Sequence, residues 1–172
     1  MYTSSDMKQQ HETIVIQAAL KEHNRLYGQG LRVIARPDPP DAILSNGAYT
    51  TWLEHTDAFF SEEWAKALST TAYVSIKVDM DSSIDAQFAD VFCQRVLDKH
   101  NKESYNTSIS RYGPGILVVG LESPWLNSNT LQEINNRWQE LGKPDISTTF
   151  THVYIVYRDQ NNRNYAFEWQ NK

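Results

Sequence analysis

The chain has 172 residues, of which 40% are hydrophobic, 12% aromatic and 22% charged, and its formal net charge is −5. This length and composition are typical of one globular domain with a substantial core, and they exclude an intrinsically disordered chain. The acidic balance argues against broad binding to nucleic acid, because Lys and Arg must neutralise phosphates. Any nucleic-acid surface should therefore be a small local basic patch, for which the candidates at helical spacing are Arg95, Lys99 and Lys102.

Membrane, disulfide and common motif signals are absent from the sequence. No apolar run approaches the roughly 20 residues that span a bilayer, and residues 1–6 lack the basic and apolar regions of a signal peptide. We therefore expect no membrane partner and a cytoplasmic location. Cys93 is the only cysteine, which excludes an internal disulfide and a cysteine-based zinc site. The sequence also lacks a phosphate-binding G-x-x-x-x-G-K loop and a G-x-S-x-G nucleophile motif.

Residues 8–27 form the first predicted helix, because Ile16, Ala19 and Leu20 recur at helical steps along it. Glycines follow directly and end this helix. A short strand is predicted over 31–35, where apolar and polar residues alternate. The prolines that come next stop any sheet ladder.

A β-hairpin is predicted around Asn46-Gly47, because this pair supplies the two positive φ angles of a two-residue type I′ turn. That register places Asp41 opposite Trp52. Asp41 and Glu54 then become diagonal neighbours on one face of the hairpin, with Cβ atoms about 7 to 8 Å apart. Two carboxylates at this separation can bind one divalent cation. The hairpin is therefore a candidate metal site.

A structural interpretation of the same acids stays open. Asp41 also fits a turn cap after the prolines, and Glu54 also fits a solvated strand residue. Asp38 competes with Asp41 for the first ligand position, but it precedes Pro39 and is expected in an extended stretch outside the hairpin. We therefore prefer Asp41.

The rest of the chain predicts helices and strands in alternation. A long helix over 85–104 carries a wide apolar stripe. The apolar run 115–121, bounded by glycine near each end, is typical of a strand buried on both faces. The remaining predicted elements are a short helix from Ser61, a strand over 73–78, a helix over 128–141 and a hairpin with strands at 149–157 and 164–169.

Pro40-Asp41, the short hairpin and Glu54 on its second strand resemble the PD-(D/E)XK nuclease superfamily, which has the restriction-endonuclease-like fold. The order of helix, three strands, helix and buried strand is similar to the αβββαβ core of that superfamily over residues 10–121, with an inserted helix and strand between 61 and 79. The resemblance implies an α/β fold with a mixed central sheet flanked by helices. We expect one domain over 1–172, in which residues 122–172 add a helix and a β-hairpin.

The resemblance also implies a magnesium-dependent phosphodiesterase, in which the acids bind the metal and a lysine two residues after the Glu holds the attacking water. Asp41 and Glu54 match the acids, whereas Thr56 stands in the place of the lysine. Oxygen ligands suit Mg²⁺ or Mn²⁺ better than zinc. In the family a first-helix glutamate and the backbone carbonyl after the motif Glu often join the site, which implies Glu12 and His55. Glu12 also fits an ordinary acid in the first turn of a helix, and the His55 side chain should point away from the metal.

A lysine from another element is expected to replace the one missing at Thr56. Lys99 lies at the edge of the apolar stripe of the helix over 85–104, and Lys102 and Lys77 are alternatives. A structural role for Lys99 stays open, because the dipole alone favours cations at a helix C-terminus.

Two hypotheses for the function follow. The first is a nuclease with Asp41, Glu54 and Lys99 as catalytic residues and nucleic acid as substrate. The second is a catalytically inactive relative that serves as a binding or assembly module. The resemblance also implies a homodimer, because nucleases of this kind often cut duplexes as pairs.

Overall fold

A mixed β-sheet of six strands organises the part of the chain that the computed structural model describes, residues 4–59, 83–122, 126–159, 161 and 163–169. None of the helices within these ranges is both long enough and apolar enough to cross a membrane. The elements follow in the order α1 (Ser4–Tyr27), β1 (Arg32–Ala35), β2 (Ala42–Ser45), β3 (Thr50–Phe59), α2 (Ser83–His100), α3 (Asn106–Tyr112), β4 (Gly115–Glu122), α4 (Ser128–Glu140), β5 (Phe150–Arg158) and β6 (Asn164–Glu168).

The strands lie side by side in the order in which they occur in the chain. β1, β2 and β3 form an antiparallel meander, β3, β4 and β5 are parallel, and β6 returns antiparallel to β5. Parallel neighbours need a long crossover connection, which usually contains a helix. α4 lies in the connection between β4 and β5. The predicted α/β class with a mixed sheet is therefore confirmed, and the C-terminal strands β5 and β6 continue the same sheet.

Helices cover both faces of the sheet. Along β3, Trp52 belongs to the core that α2 and α4 form, whereas its neighbour Leu53 belongs to the core under α1. β4 contributes Leu117 to the first core and Val118 to the second, and both are 0% exposed. This burial on both faces was predicted from the continuous apolar run. Alternation along β3 thus decides which helix layer each candidate site residue meets.

The loop between β2 and β3 is longer than predicted. Asn46 N donates to Tyr49 O at 3.2 Å, and the Asn46 side chain accepts hydrogen bonds from the amides of Ala48 and Tyr49 at 2.9 and 2.8 Å. Gly47 has a φ of +93°, which favours glycine, whereas Asn46 does not have the positive φ of a type I′ turn. The loop therefore has four residues instead of two, and the Asn46 side chain stabilises it.

The longer loop corrects the predicted strand register. Ser45 pairs with Thr50, and Ile43 takes the place opposite Trp52 that was predicted for Asp41. The register is thus wrong by two residues along β3. Because side chains alternate with a period of two, an even shift leaves every residue on its predicted face.

The C-terminal part of the predicted helix over 85–104 is also different. α2 ends at His100, Lys102 has an extended backbone with ψ of 119°, and a 3₁₀ turn over Glu103–Tyr105 leads into α3. Sequence periodicity did not predict α3. The short helix predicted from Ser61 and the strand predicted over 73–78 lie outside the described residues.

Candidate metal and catalytic site

The candidate site lies where the β2–β3 hairpin meets the C-terminal turn of α2. Asp41 directly precedes β2, and the hairpin register, continued by one pair beyond Ala42 and Leu53, brings it opposite Glu54. Directly opposed residues have Cβ atoms about 4.5 to 5.5 Å apart, closer than the predicted diagonal arrangement. The structure therefore brings the two predicted acids together.

A backbone hydrogen bond fixes the Asp41 carboxylate. The amide of His55 donates to Asp41 Oδ2 at 2.7 Å. The N–H and C=O groups of one strand residue face the same neighbour, so the His55 carbonyl is also directed to the side of Asp41. The His55 imidazole lies on the opposite face of β3, where Nε2 is 2.9 Å from Asp57 Oδ1. The predicted orientation of His55, with the side chain away from the acids, matches this geometry.

Lys99 reaches the site from the last turn of α2. Its Nζ lies 2.5 Å from Glu54 Oε1, and the two side chains are only 16% and 6% exposed. The second carboxylate oxygen, Glu54 Oε2, is buried and has no hydrogen-bond partner among the described residues. An unpartnered charged oxygen in a buried position is costly. Glu54 therefore has one oxygen in an ion pair with Lys99 and one without a regular hydrogen bond to any described residue.

The charge of Asp41 is unfavourable in this environment. Burial raises its pKa to about 6, and the neighbouring carboxylate of Glu54 contributes in the same direction. Glu12 also raises this pKa, whereas the His55 amide and the Lys99 ammonium lower it. A bound cation would remove the repulsion between these acids.

The remaining predicted ligands and lysines lie around this centre. Glu12 is close enough to act on Asp41, but its carboxylate accepts a hydrogen bond from Arg36 Nη1 at 3.1 Å. Asp38 is exposed, and so is Lys102. Lys77 lies outside the described residues. Of the lysines proposed from the sequence, Lys99 is therefore the one for which the structure describes a contact with the acids.

Tyr105 also belongs to the site, although sequence reasoning did not find it. Its side chain is 0% exposed, and its ring centroid lies 5.2 Å from that of Trp52. The buried hydroxyl lies beside the Glu54 carboxylate, outside the geometry of a regular hydrogen bond. Burial and then the Glu54 carboxylate raise the pKa of Tyr105, which keeps the hydroxyl protonated. Tyr105 comes from the 3₁₀ turn that follows α2, and an isolated Tyr in such a turn gives no sequence signal.

The donor set determines which cation fits. Carboxylate and carbonyl oxygens are the ligands that Mg²⁺ and Mn²⁺ prefer. Asp41 supplies a carboxylate whose charge is unfavourable, and Glu54 supplies a buried oxygen without a regular hydrogen bond within the described ranges, so these residues fit a hard divalent cation. Lys99 adds a positive group beside the same carboxylates.

Comparisons of the chain with family models, with curated proteins and with solved structures gave no match. What the site does must therefore be argued from its own geometry.

Proposed function

We propose that the chain is a divalent-cation-dependent phosphodiesterase of the PD-(D/E)XK nuclease superfamily, acting on nucleic acid, with Asp41 and Glu54 as metal ligands and Lys99 as the site lysine. The observation that carries this proposal is the 2.5 Å separation between Lys99 Nζ and Glu54 Oε1. Lys99 thus lies beside the motif glutamate and can replace the motif lysine, whose position Thr56 occupies.

The arrangement of the elements supports the proposal. α1, the antiparallel β1–β3 meander, a helical connection containing α2, and the parallel strand β4 agree with the αβββαβ order of the superfamily core. The two acids lie at the start of β2 and within β3, as the superfamily motif requires. The fold alone does not determine a function, so the site chemistry has to carry the rest.

Each residue has a defined task in this proposal. Asp41 and Glu54 bind Mg²⁺ or Mn²⁺, and the His55 carbonyl and Glu12 are further oxygen ligands. The cation supplies positive charge that polarises the scissile phosphate and acidifies water. Lys99 donates a hydrogen bond from Nζ to the attacking water and orients it. The exposed cations Arg95 and Lys102, on α2 and directly after it, contact the phosphate backbone beside the site.

One observation favours a second function, a non-catalytic binding or assembly module. Lys99 and Glu54 form a buried ion pair, which a purely structural contact between α2 and β3 would also show. The net charge of −5 also opposes strong binding to polyphosphates. In this second function the acids and Lys99 stabilise the hairpin against α2 and no bond is cleaved.

Metal binding is the first test. Mg²⁺ or Mn²⁺ at 100 times its Kd should stabilise the wild type by about 2.7 kcal/mol, which raises Tm by about 5–10 °C for a chain of this size. Asp41→Ala removes a ligand and should show no such rise in thermal unfolding experiments. If wild type and Asp41→Ala respond alike to both cations, the metal site is wrong.

Cleavage of mixed single- and double-stranded DNA and RNA separates the two functions. The wild type with Mn²⁺ should cleave, and Lys99→Met should lower the rate by about 10²-fold or more. Lys99→Arg keeps the charge beside Glu54 and the stability, but it should also lose cleavage because the guanidinium donates with different geometry. Lys21→Met, which removes an exposed lysine on α1, is the matched control and should leave the rate unchanged. Metal binding without cleavage would support the second function and overturn the first.

A further inference from the structure

Two histidines and an aspartate join α1 to β3 on the face of the sheet opposite Glu54. His55 Nε2 lies 2.9 Å and His11 Nε2 lies 3.2 Å from the same oxygen, Asp57 Oδ1. One candidate ligand atom of each residue lies within 4.8 Å of the other two. His55 and Asp57 share a face because they are two residues apart in β3, whereas His11 is 46 residues from Asp57 in the chain.

We propose that His11, His55 and Asp57 form a second metal site, which binds Zn²⁺ or a similar divalent transition ion. Two imidazoles with one carboxylate and an open fourth position are a ligand set of tetrahedral zinc sites. Imidazole nitrogen suits Zn²⁺, Co²⁺ and Ni²⁺, whereas Mg²⁺ prefers an all-oxygen set. The two sites therefore differ in the class of ion that they bind.

The observed distances fit such an ion with little movement. Ligands at 2.0–2.1 Å from a tetrahedral centre are about 3.4 Å from one another. The two separations from Asp57 Oδ1, 2.9 and 3.2 Å, differ from this value by a few tenths of an ångström. Side-chain rotations of this size are small for these two pairs, and the third pair, one nitrogen of each imidazole, lies within 4.8 Å.

Gly120 provides an independent argument for this site. It pairs with Asp57 across β3 and β4. A Cβ atom at this position would clash with Asp57 Oδ1 and would come within 3.4 Å of His55 Nε2. Gly120 does not have a positive φ, so backbone conformation does not explain the glycine. Its missing side chain instead gives the two ligand groups on β3 the room they occupy.

An ion can reach the cluster from solvent. The side chain of His11 is 25% exposed, that of Asp57 is 19% exposed and that of His55 is 8% exposed. His11 and Asp57 carry most of this exposure, so the open coordination position would lie on their side of the cluster. A bound ion would link α1 to β3 and leave one position for water or a ligand.

The test uses the metal-free full chain with Zn²⁺ in calorimetry and Co²⁺ in visible absorption. The wild type should bind one equivalent of Zn²⁺, and Co²⁺ should give the intense d–d bands of a tetrahedral site. His11→Gln should weaken Zn²⁺ binding by at least about 100-fold, since even outer-shell changes cost about 10- to 100-fold. His11 is partly exposed, so this variant should fold, and Gly120→Ala should weaken binding as well.

Two control variants identify the site. His152→Gln removes another half-buried histidine, whose Nδ1 is 2.7 Å from Glu168 Oε1, and should bind Zn²⁺ like the wild type. Asp41→Ala should also retain Zn²⁺ binding, while it loses the response to Mg²⁺. The proposal is overturned if the wild type binds neither ion, if His11→Gln binds as tightly as His152→Gln, or if Asp41→Ala is the variant that loses Zn²⁺. None of these outcomes depends on nuclease activity.

Discussion

Asp41, which we propose as a metal ligand, carries a cost in stability. Its pKa is raised to about 6 by burial and by Glu54, so the folded state holds the proton more tightly than the unfolded chain does. The corresponding stability is present at low pH and is lost as the pH rises through about 6. At pH 7.5 without metal, the ionised carboxylate therefore destabilises the fold.

Asp41→Asn should consequently stabilise the metal-free protein at pH 7.5. A shift from 3.8 to about 6 corresponds to about 3 kcal/mol, and solvent access to this half-buried group reduces the expected gain to about 1–2 kcal/mol. At pH 5 part of the gain should remain, because the unfolded carboxyl, with a pKa of 3.8, is still ionised there, and the gain should vanish only below that pKa. Urea unfolding in the presence of a chelator measures both values. A variant less stable than the wild type at pH 7.5 would mean that the chain already compensates this charge.

The residues of the site differ in how far the sequence could predict them. Asp41 and Glu54 were predictable because a motif and strand parity both point to them. Lys99 was one of three candidate lysines, with Lys102 and Lys77. Helical periodicity places it at the edge of the apolar stripe of α2 but does not show how close it lies to Glu54. His11 and Tyr105 were not predictable, because only the tertiary fold brings them to β3 and to Trp52.

Among the elements, the β2–β3 hairpin has a different loop from the predicted one, yet Asp41 and Glu54 still share a face. The sequence Asn46-Gly47 suits a two-residue turn, but Asn46 also accepts hydrogen bonds from the amides of Ala48 and Tyr49. These bonds stabilise a four-residue loop that the dipeptide preference does not reveal. The predicted and observed loops differ by two residues. The predicted face of each side chain is therefore correct, although the predicted strand register is wrong.

Helix α3 was missed for a different reason. It has only seven residues and buries Ser108 rather than a large apolar side chain, so no apolar stripe marks it. The signal that was present is Gly113, which has a φ of +76° and donates its amide to Ile109 O. Such a glycine is typical of the end of a helix.

Helix α4 has a strong N-terminal cap that can be tested directly. Asn127 Oδ1 accepts hydrogen bonds from Asn129 N at 2.7 Å and Thr130 N at 3.2 Å. Asn127→Ala removes both and should cost about 1 kcal/mol, or about 2–4 °C in Tm. Asn136→Ala, at an exposed interior position of the same helix, should leave Tm unchanged or raise it slightly, because Ala has the higher helix propensity. Equal melting temperatures for the two variants would contradict this role of the cap.

At the scale of the whole molecule, the α/β class and the mixed sheet could be predicted from the order of helices and strands. Strand β4 was the clearest element, because a continuous apolar run with glycine near each end has few alternatives to a central strand. The end of α2 was not predictable, since the apolar stripe stops at Leu97 and no glycine or proline marks Lys102, where the backbone turns. The local sequence therefore predicts the helices and strands of each layer better than it predicts where the chain turns.

The packing of α1 on the sheet makes the stability of the whole molecule depend on pH. His23 is 2% exposed, its Nδ1 lies 2.9 Å from the Tyr154 hydroxyl, and its Nε2 lies 3.0 Å from Gln29 Oε1. Burial lowers the pKa of His23, the hydrogen bond with Gln29 opposes this change, His152 adds to it, and Glu168 opposes it. The unfolded chain then binds the additional proton first, below about pH 6.5. Stability from His23 is therefore present above pH 6.5 and is lost as the pH falls.

Comparison of wild type and His23→Gln by urea unfolding at pH 7.5, 6.5 and 5.5 tests this dependence. Below pH 6.5 the free energy of unfolding of the wild type should fall more steeply than that of the variant, by up to about 1.4 kcal/mol per pH unit. The absolute stability of the variant does not matter, because only the two slopes are compared. Parallel slopes would show that His23 keeps its ordinary protonation behaviour in the fold.

Glu54 and His55 are consecutive in β3, yet they face different helix layers. A deletion or insertion of one residue between the hairpin loop and Glu54 would move each of them to the other face: a deletion would bring the imidazole to the place of Glu54 beside Lys99, and an insertion would bring the carboxylate to the place of His55. A change of one residue would thus disrupt the sites on both faces of β3. A change of two residues would leave each side chain on its own face. Length variation in this short segment should therefore be tolerated only in even steps.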